Sequence, residues 1–234
     1  MSKSLQQYHP LQRLASPSRG ISALVHATSL VSFALSFRYL LITPNPINDS
    51  YGWHLQYLTI IGLSLSTVTF AFGLLADITL SPALFSIKNA LSIASAPLEI
   101  LISLLYWSLR AIDPKLVVPE FAPPLAPIAD IGFHLVPSIV MLIDILFLSP
   151  PWTIATVPAI GLSSIIAIVY WFWVEECAKH NGFYPYPLFD EVGHNGRVAL
   201  FIMSAVIMTT GTWSLKKVFG RLNGREVPGR VKKE

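Results

Sequence analysis

Asp130 and His134 stand one helical turn apart in IADIGFHLVPSIVML, Ile128 to Leu142, at the mouth of an apolar run. An imidazole is neutral near pH 7 and can accept a proton, and a carboxylate one turn away can orient it. A second group with latent chemistry is Thr59 in HLQYLTIIG, His54 to Gly62. A hydroxyl becomes a nucleophile only with a base in reach to take its proton, and His134 is the obvious base. Each group also has a plainer reading. Thr59 can return its hydrogen bond to the carbonyl of Leu55, one turn earlier. Asp130 and His134 can simply bond across helices.

The element that carries the acid and the imidazole reads as a membrane span. Turned at about 100° per residue, Asp130, His134, Pro137 and Asp144 fall within an arc of about 80°. Ionisable groups inside a membrane are costly and face the protein interior or a wet cavity, so this face is expected to point inward.

Composition supports a membrane setting. The chain has 234 residues, 53% hydrophobic and 12% charged, with a mean hydropathy of +0.58. A soluble domain carries about 25% charged residues. No Asp, Glu, Lys or Arg lies between Asp49 and Asp77, or between Asp144 and Glu175. Each gap exceeds the roughly 20 residues of a helical bilayer crossing. The expected fold class is all-α, an integral membrane bundle of six transmembrane helices. The spans are Ile21 to Ile42, Leu55 to Leu75, Leu91 to Ile112, Ile128 to Phe147, Trp152 to Val174 and Val198 to Val218. Turn-forming stretches rich in Pro and Asn separate them, among them TPNPINDS (Thr43 to Ser50) and SPP (Ser149 to Pro151). The domain expectation is a tail over 1–20, a membrane domain over 21–219 and a basic tail over 220–234.

Charge sets the expected orientation. The tails and Lys88, read as part of the connection between the second and third spans, hold 11 of the 16 basic residues. Basic segments stay on the cytosolic side, so both termini are expected to be cytosolic. Thr59 and His134 then start their spans from the lumenal side and lie at similar depth. The basic surplus sits at the ends, which argues against nucleic acid as a partner. The carboxyl tail, with Lys232 and Lys233, suits anionic lipid or a retrieval signal.

Other polar residues receive plainer readings. Glu99 pairs internally or stays protonated, Asp144 lies too deep to join His134, and His26 is structural. Arg38 reaches the interface or neutralises Asp130, with the first preferred. Glu175 and Glu176 end the fifth helix in solvent. Cys177 is the single cysteine, so an intrachain disulfide and a Cys-based zinc site are excluded. No first apolar segment reads as a cleaved signal peptide. The G-x-S-x-G elbow, the H-E-x-x-H zinc motif and the Walker loop are missing from the sequence.

Three segments together resemble the androgen-induced gene / androgen-dependent TFPI-regulating protein family. They are YGWHLQYLT (Tyr51 to Thr59), DIGFH (Asp130 to His134), and a stretch from Trp173 through Gly182 and YPLFDEVG (Tyr186 to Gly193) to Arg197. The resemblance implies a multi-span membrane hydrolase with a catalytic threonine and histidine, acting on fatty acid esters of hydroxy fatty acids. The matching positions are Thr59 and His134. The family position of Asp130 can hold an amide, so Asp130 is expected to orient or tune His134 rather than to be indispensable.

The expected function is thus an intramembrane lipid ester hydrolase, with no cofactor, in the endoplasmic reticulum or plasma membrane. Its substrate is a lipid ester entering from the bilayer. The aromatic loop from Cys177 to Arg197 is expected to anchor at headgroup level, with capping of the site as the alternative. Two rival classes are a carrier, with Glu99, Asp144 and His134 as a polar path, and a non-enzymatic membrane regulator or scaffold.

Overall fold

A computed structural model describes residues 19–152 and 154–223. The tail lysines and arginines at 3, 13, 225, 230, 232 and 233 lie outside the described residues. The architecture is all-α. In chain order the helices are α1 (Ile21–Ile42), α2 (Leu58–Thr79), α3 (Pro82–Ile112), α4 (Pro127–His134), α5 (Val136–Ile143), α6 (Thr156–Asn181), α7 (Leu188–Glu191) and α8 (Gly193–Asn223). Five of them are long and apolar enough to cross a membrane. The pair α4 and α5, extended by a π-type turn over Asp144–Leu148, is bent by 42° and forms either a broken sixth span or a re-entrant loop.

The helices are apolar outside and partly polar inside. In α1 the buried residues recur every three or four positions: Ser22, His26, Ser29, Phe33, Ser36 and Leu40. Ile21, Leu24, Val31 and Leu35 face outward. Small hydroxyl residues let helices approach closely where the surrounding lipid is as apolar as leucine. The same logic packs α2 against α1 and α3. At Gly62 a Cβ would stand 2.5 Å from Ile102 Cδ1, and at Gly73 it would stand 2.7 Å from the His26 ring. Phe33, Leu63, Phe70 and Met141 fill the centre.

Several expected boundaries move. α3 begins at Pro82 rather than Leu91, with Ser81 accepting the Leu84 N–H at its start. Lys88 is therefore a helical residue, not part of a connection, and it is fully buried against Asp144. α6 starts four residues later than expected and runs on to Asn181, where Gly182 ends it at φ +74°. Much of the expected loop from Cys177 to Arg197 is consequently helix. The fourth span is not one helix either. Pro137 lacks an N–H and its ring crowds the preceding turn, so the helix stops after His134 and restarts at Val136. The continuous polar arc is broken there: Asp130 and His134 belong to one piece, and Asp144 to the far end of the other.

Candidate active site

Thr59 is the second residue of α2, and the segment before it is held by α6. The Tyr51 amide donates to Asn181 Oδ1 at 2.7 Å, and Asn181 Nδ2 returns a bond to the Tyr51 carbonyl at 3.1 Å. Trp173 Nε1 donates to the Leu55 carbonyl at 2.8 Å, and the Tyr170 hydroxyl donates to the Gln56 carbonyl at 2.9 Å. Gly52 adopts φ +80° under Trp173 and Cys177, where a Cβ would stand 2.7 Å from the sulfur. Two of the three distinctive sequence segments thus pack on each other and fix where α2 begins.

The return bond expected from Thr59 to the Leu55 carbonyl is not made. The helix starts only at Leu58, and that carbonyl is taken by Trp173. The neighbour of Thr59 is instead Tyr186. Its phenol oxygen accepts the Leu58 N–H at 3.1 Å and lies within hydrogen-bond reach of the Thr59 hydroxyl and amide. Burial pushes the Tyr186 phenol up, so it keeps its proton. The aromatic loop therefore reaches inward and covers Thr59, contrary to the anchoring role expected for it.

His134 ends α4, and Nδ1 faces two acceptors, Asp130 Oδ1 at 2.8 Å and the Asp130 carbonyl at 3.1 Å. A carboxylate and a carbonyl only accept, so Nδ1 carries the hydrogen and Nε2 is left as the basic nitrogen. Among the described residues Nε2 has no hydrogen-bond partner in the protein. Asp130 is held from the other side by Arg110, whose guanidinium donates to Oδ2 at 2.5 Å and to the Tyr106 hydroxyl at 2.6 Å. The Tyr106 ring stacks flat on the imidazole. His134 has one ring face covered and one nitrogen tied, which leaves a single orientation.

Two cavities meet at this point. One is lined by Thr59 and His134 together, with His54, Tyr57, Tyr106 and Tyr186. The other runs between α3, α6 and α8 past Leu98, Leu105, Ile166 and Met208 and is almost wholly apolar. Thr59, Tyr106, Val117 and Tyr186 line both. Thr59 is 6% and His134 7% exposed, so the pair is sheltered yet open to the cavity.

The remaining polar residues form separate clusters. Ser66 donates to Glu99 at 2.8 Å. His26 joins Asp77 at 2.9 Å to Asp144 at 3.2 Å, and Lys88 completes that cluster with Asp144 and Ser149. His26 is thus tied into a buried hydrogen-bonded cluster, which is consistent with the structural role expected for it. Among the described residues no hydrogen bond joins Glu99, Asp144 and His134 into a continuous polar path. Arg38 is exposed, and the Asp130 charge is met by Arg110 instead. Glu175 is not a solvent residue: it accepts from Arg197 at 3.0 Å and from Tyr184 at 2.8 Å.

Tyr106, Arg110 and Tyr186 were not singled out from sequence. Tyr186 lies within a recognised segment and Arg110 is the lone cation near the end of its span, whereas an aromatic such as Tyr106 in an apolar helix carries no signal of its own.

Comparison with known proteins places this geometry in context. Residues 21–219 match the FAR-17a/AIG1-like protein family. The chain is 34% identical over 194 residues to a UPF0641 membrane protein of the fission yeast Schizosaccharomyces pombe, covering 82% of this chain and 87% of the relative. No solved structure matches the chain.

Proposed function

This chain belongs to the FAR-17a/AIG1-like family of membrane proteins, and from that premise we propose that it is an intramembrane lipid ester hydrolase with a Thr59 nucleophile and a His134 base. The observation that carries the reading is that the two residues share one sheltered cavity while Thr59 also faces a long apolar one. A lipid with an ester in mid-chain has apolar chain on both sides of the bond, as in fatty acid esters of hydroxy fatty acids. Two cavities meeting at the nucleophile suit that shape.

His134 Nε2 takes the proton of Thr59 as Oγ1 attacks the ester carbonyl carbon. The tetrahedral intermediate collapses, the C–O bond to the alcohol breaks, and the imidazolium returns the proton to the leaving oxygen. Water then gives a proton to Nε2 and attacks the acyl-threonine. Release of the acid restores the Thr59 hydroxyl. Asp130 holds the imidazole tautomer and favours its charged form during each transfer. In the proposed topology both termini are cytosolic, which puts the site near the lumenal face of the endoplasmic reticulum or the outer face of the plasma membrane. There the acyl chains stay in hydrocarbon and water reaches the ester.

A fluorophosphonate probe in membranes tests the assignment. Labelling of the wild-type protein should disappear in Thr59→Ala and fall sharply in His134→Ala. Full labelling of Thr59→Ala removes the reading and returns the protein to the regulator class.

A further inference from the structure

The proposed reaction develops negative charge on the ester oxygen, and a hydrolase of this type needs a donor aimed at that oxygen. The first turn of α2 is an unusual place to look. Its N-cap, Tyr57, offers no side-chain bond, and the Leu58 amide is satisfied by a phenol from a distant loop. Tyr186 comes from a position 128 residues later in the chain to do this. Its oxygen accepts from the positive end of a helix, which withdraws electron density from the O–H bond and orients the hydrogen away from the helix. Two hydroxyls lie within hydrogen-bond reach of the phenol: that of Thr59, on α2, and that of Tyr170, which spends its own hydrogen on the Gln56 carbonyl.

We infer that the Tyr186 hydroxyl is the oxyanion donor of the site, giving a hydrogen bond to the former carbonyl oxygen once Thr59 has attacked. This rests on the hydrolase reading above. In a tetrahedral adduct the oxyanion and the threonine oxygen share one carbon, so a donor within reach of Thr59 Oγ1 is also within reach of the oxyanion. Tyr186 lines both cavities, so it meets the reacting carbon whichever half of the substrate occupies each. No proton is transferred in this step: the phenol donates a hydrogen bond and stays protonated. Phe189 and Tyr57 pack edge-on against the Tyr186 ring, with centroids 5.6 and 5.5 Å away, and fix its direction.

The test compares purified wild type with Tyr186→Phe, using an ester substrate and two alkyl inhibitors of equal length. One is a trifluoromethyl ketone, which forms a tetrahedral oxyanion with a nucleophilic hydroxyl; the other is the matching amide, which does not. The expected result is a kcat lower by about 10²-fold with KM little changed, and weaker binding of the ketone with unchanged binding of the amide. Equal weakening of both inhibitors, or an unchanged kcat, overturns the assignment. If Tyr186→Phe does not fold, the wild-type protein bound to the ketone decides the matter. The adduct oxygen is expected within about 3 Å of the Tyr186 hydroxyl, and an oxygen turned elsewhere refutes the role. Retained hydrolysis by Thr59→Ala would instead reject the underlying hydrolase reading, so the two failures are distinct.

Discussion

Tyr106 and His134 lie face to face, with ring centroids 3.4 Å apart and planes inclined by only 3°. The two residues come from α3 and α4, so the contact ties His134 to the most buried of the long helices rather than to its own short one. Removing the ring frees the imidazole to rotate. Tyr106→Leu is expected to lower turnover about three- to tenfold, in line with the worth of an aromatic pair. Tyr106→Phe keeps the stack and should stay nearer wild type, as steady-state hydrolysis by purified protein will show.

Asp130 accepts the His134 Nδ1–H and pairs with Arg110. An asparagine can still accept through its amide oxygen, so Asp130→Asn should preserve the tautomer while losing the charge. Its hydrolysis is expected to fall between wild type and His134→Ala. A loss equal to that of His134→Ala would show that the carboxylate is indispensable. Arg110→Gln should show a smaller defect.

The apolar cavity predicts a selectivity change. Ser204 lines it from α8 and spends its hydroxyl on the Leu200 carbonyl at 2.8 Å. Ser204→Phe puts a ring into the space. Esters of long acids should lose most of their turnover and those of short acids little, which a substrate series of graded chain length will reveal.

His54 offers a pH prediction. Buried and bonded to Asn48 at 2.7 Å, it is held down to about 4, because burial disfavours the imidazolium. The unfolded chain takes up this proton as pH falls through 6.5, while the folded chain resists until about 4. Stability contributed by the neutral ring is therefore present above pH 6.5 and declines below it, by about 2 kcal/mol at pH 5. Thermal unfolding in detergent between pH 7.5 and 5 should show the decline, and His54→Gln should reduce it.

At the other end of the bundle, Lys88 is fully buried against Asp144. Removing one partner of a buried pair leaves an uncompensated charge, at a cost of about 3–5 kcal/mol. Lys88→Met should therefore sharply reduce the yield of folded protein, measured by size-exclusion profile and melting temperature.

The spans and their polar interior were legible because charge-free gaps and small-residue periodicity are properties of local sequence. Thr59 and His134 were legible together because each was expected within two turns of the same end of its span. What could not be read locally depended on long-range partners. Lys88 looked like a loop residue until Asp144, 56 positions on, supplied a counter-charge inside the helix bundle. The aromatic loop looked like a headgroup anchor because nothing near Tyr186 in sequence shows that the first amide of α2 lacks a cap. Pro137 was visible, but one proline does not say whether a helix bends or stops. Here it stops directly after the imidazole.

The meeting of the two cavities at Thr59 also bears on how a turnover ends. Cleavage there, on the proposed reading, would leave one fragment in each cavity, each with its own way out. In the proposed reaction the acid would slide back between α3, α6 and α8 into hydrocarbon, and the alcohol would depart through the chamber beside His54. Neither must pass the other, so a membrane already loaded with free fatty acid would slow the second half-reaction while leaving release of the alcohol untouched.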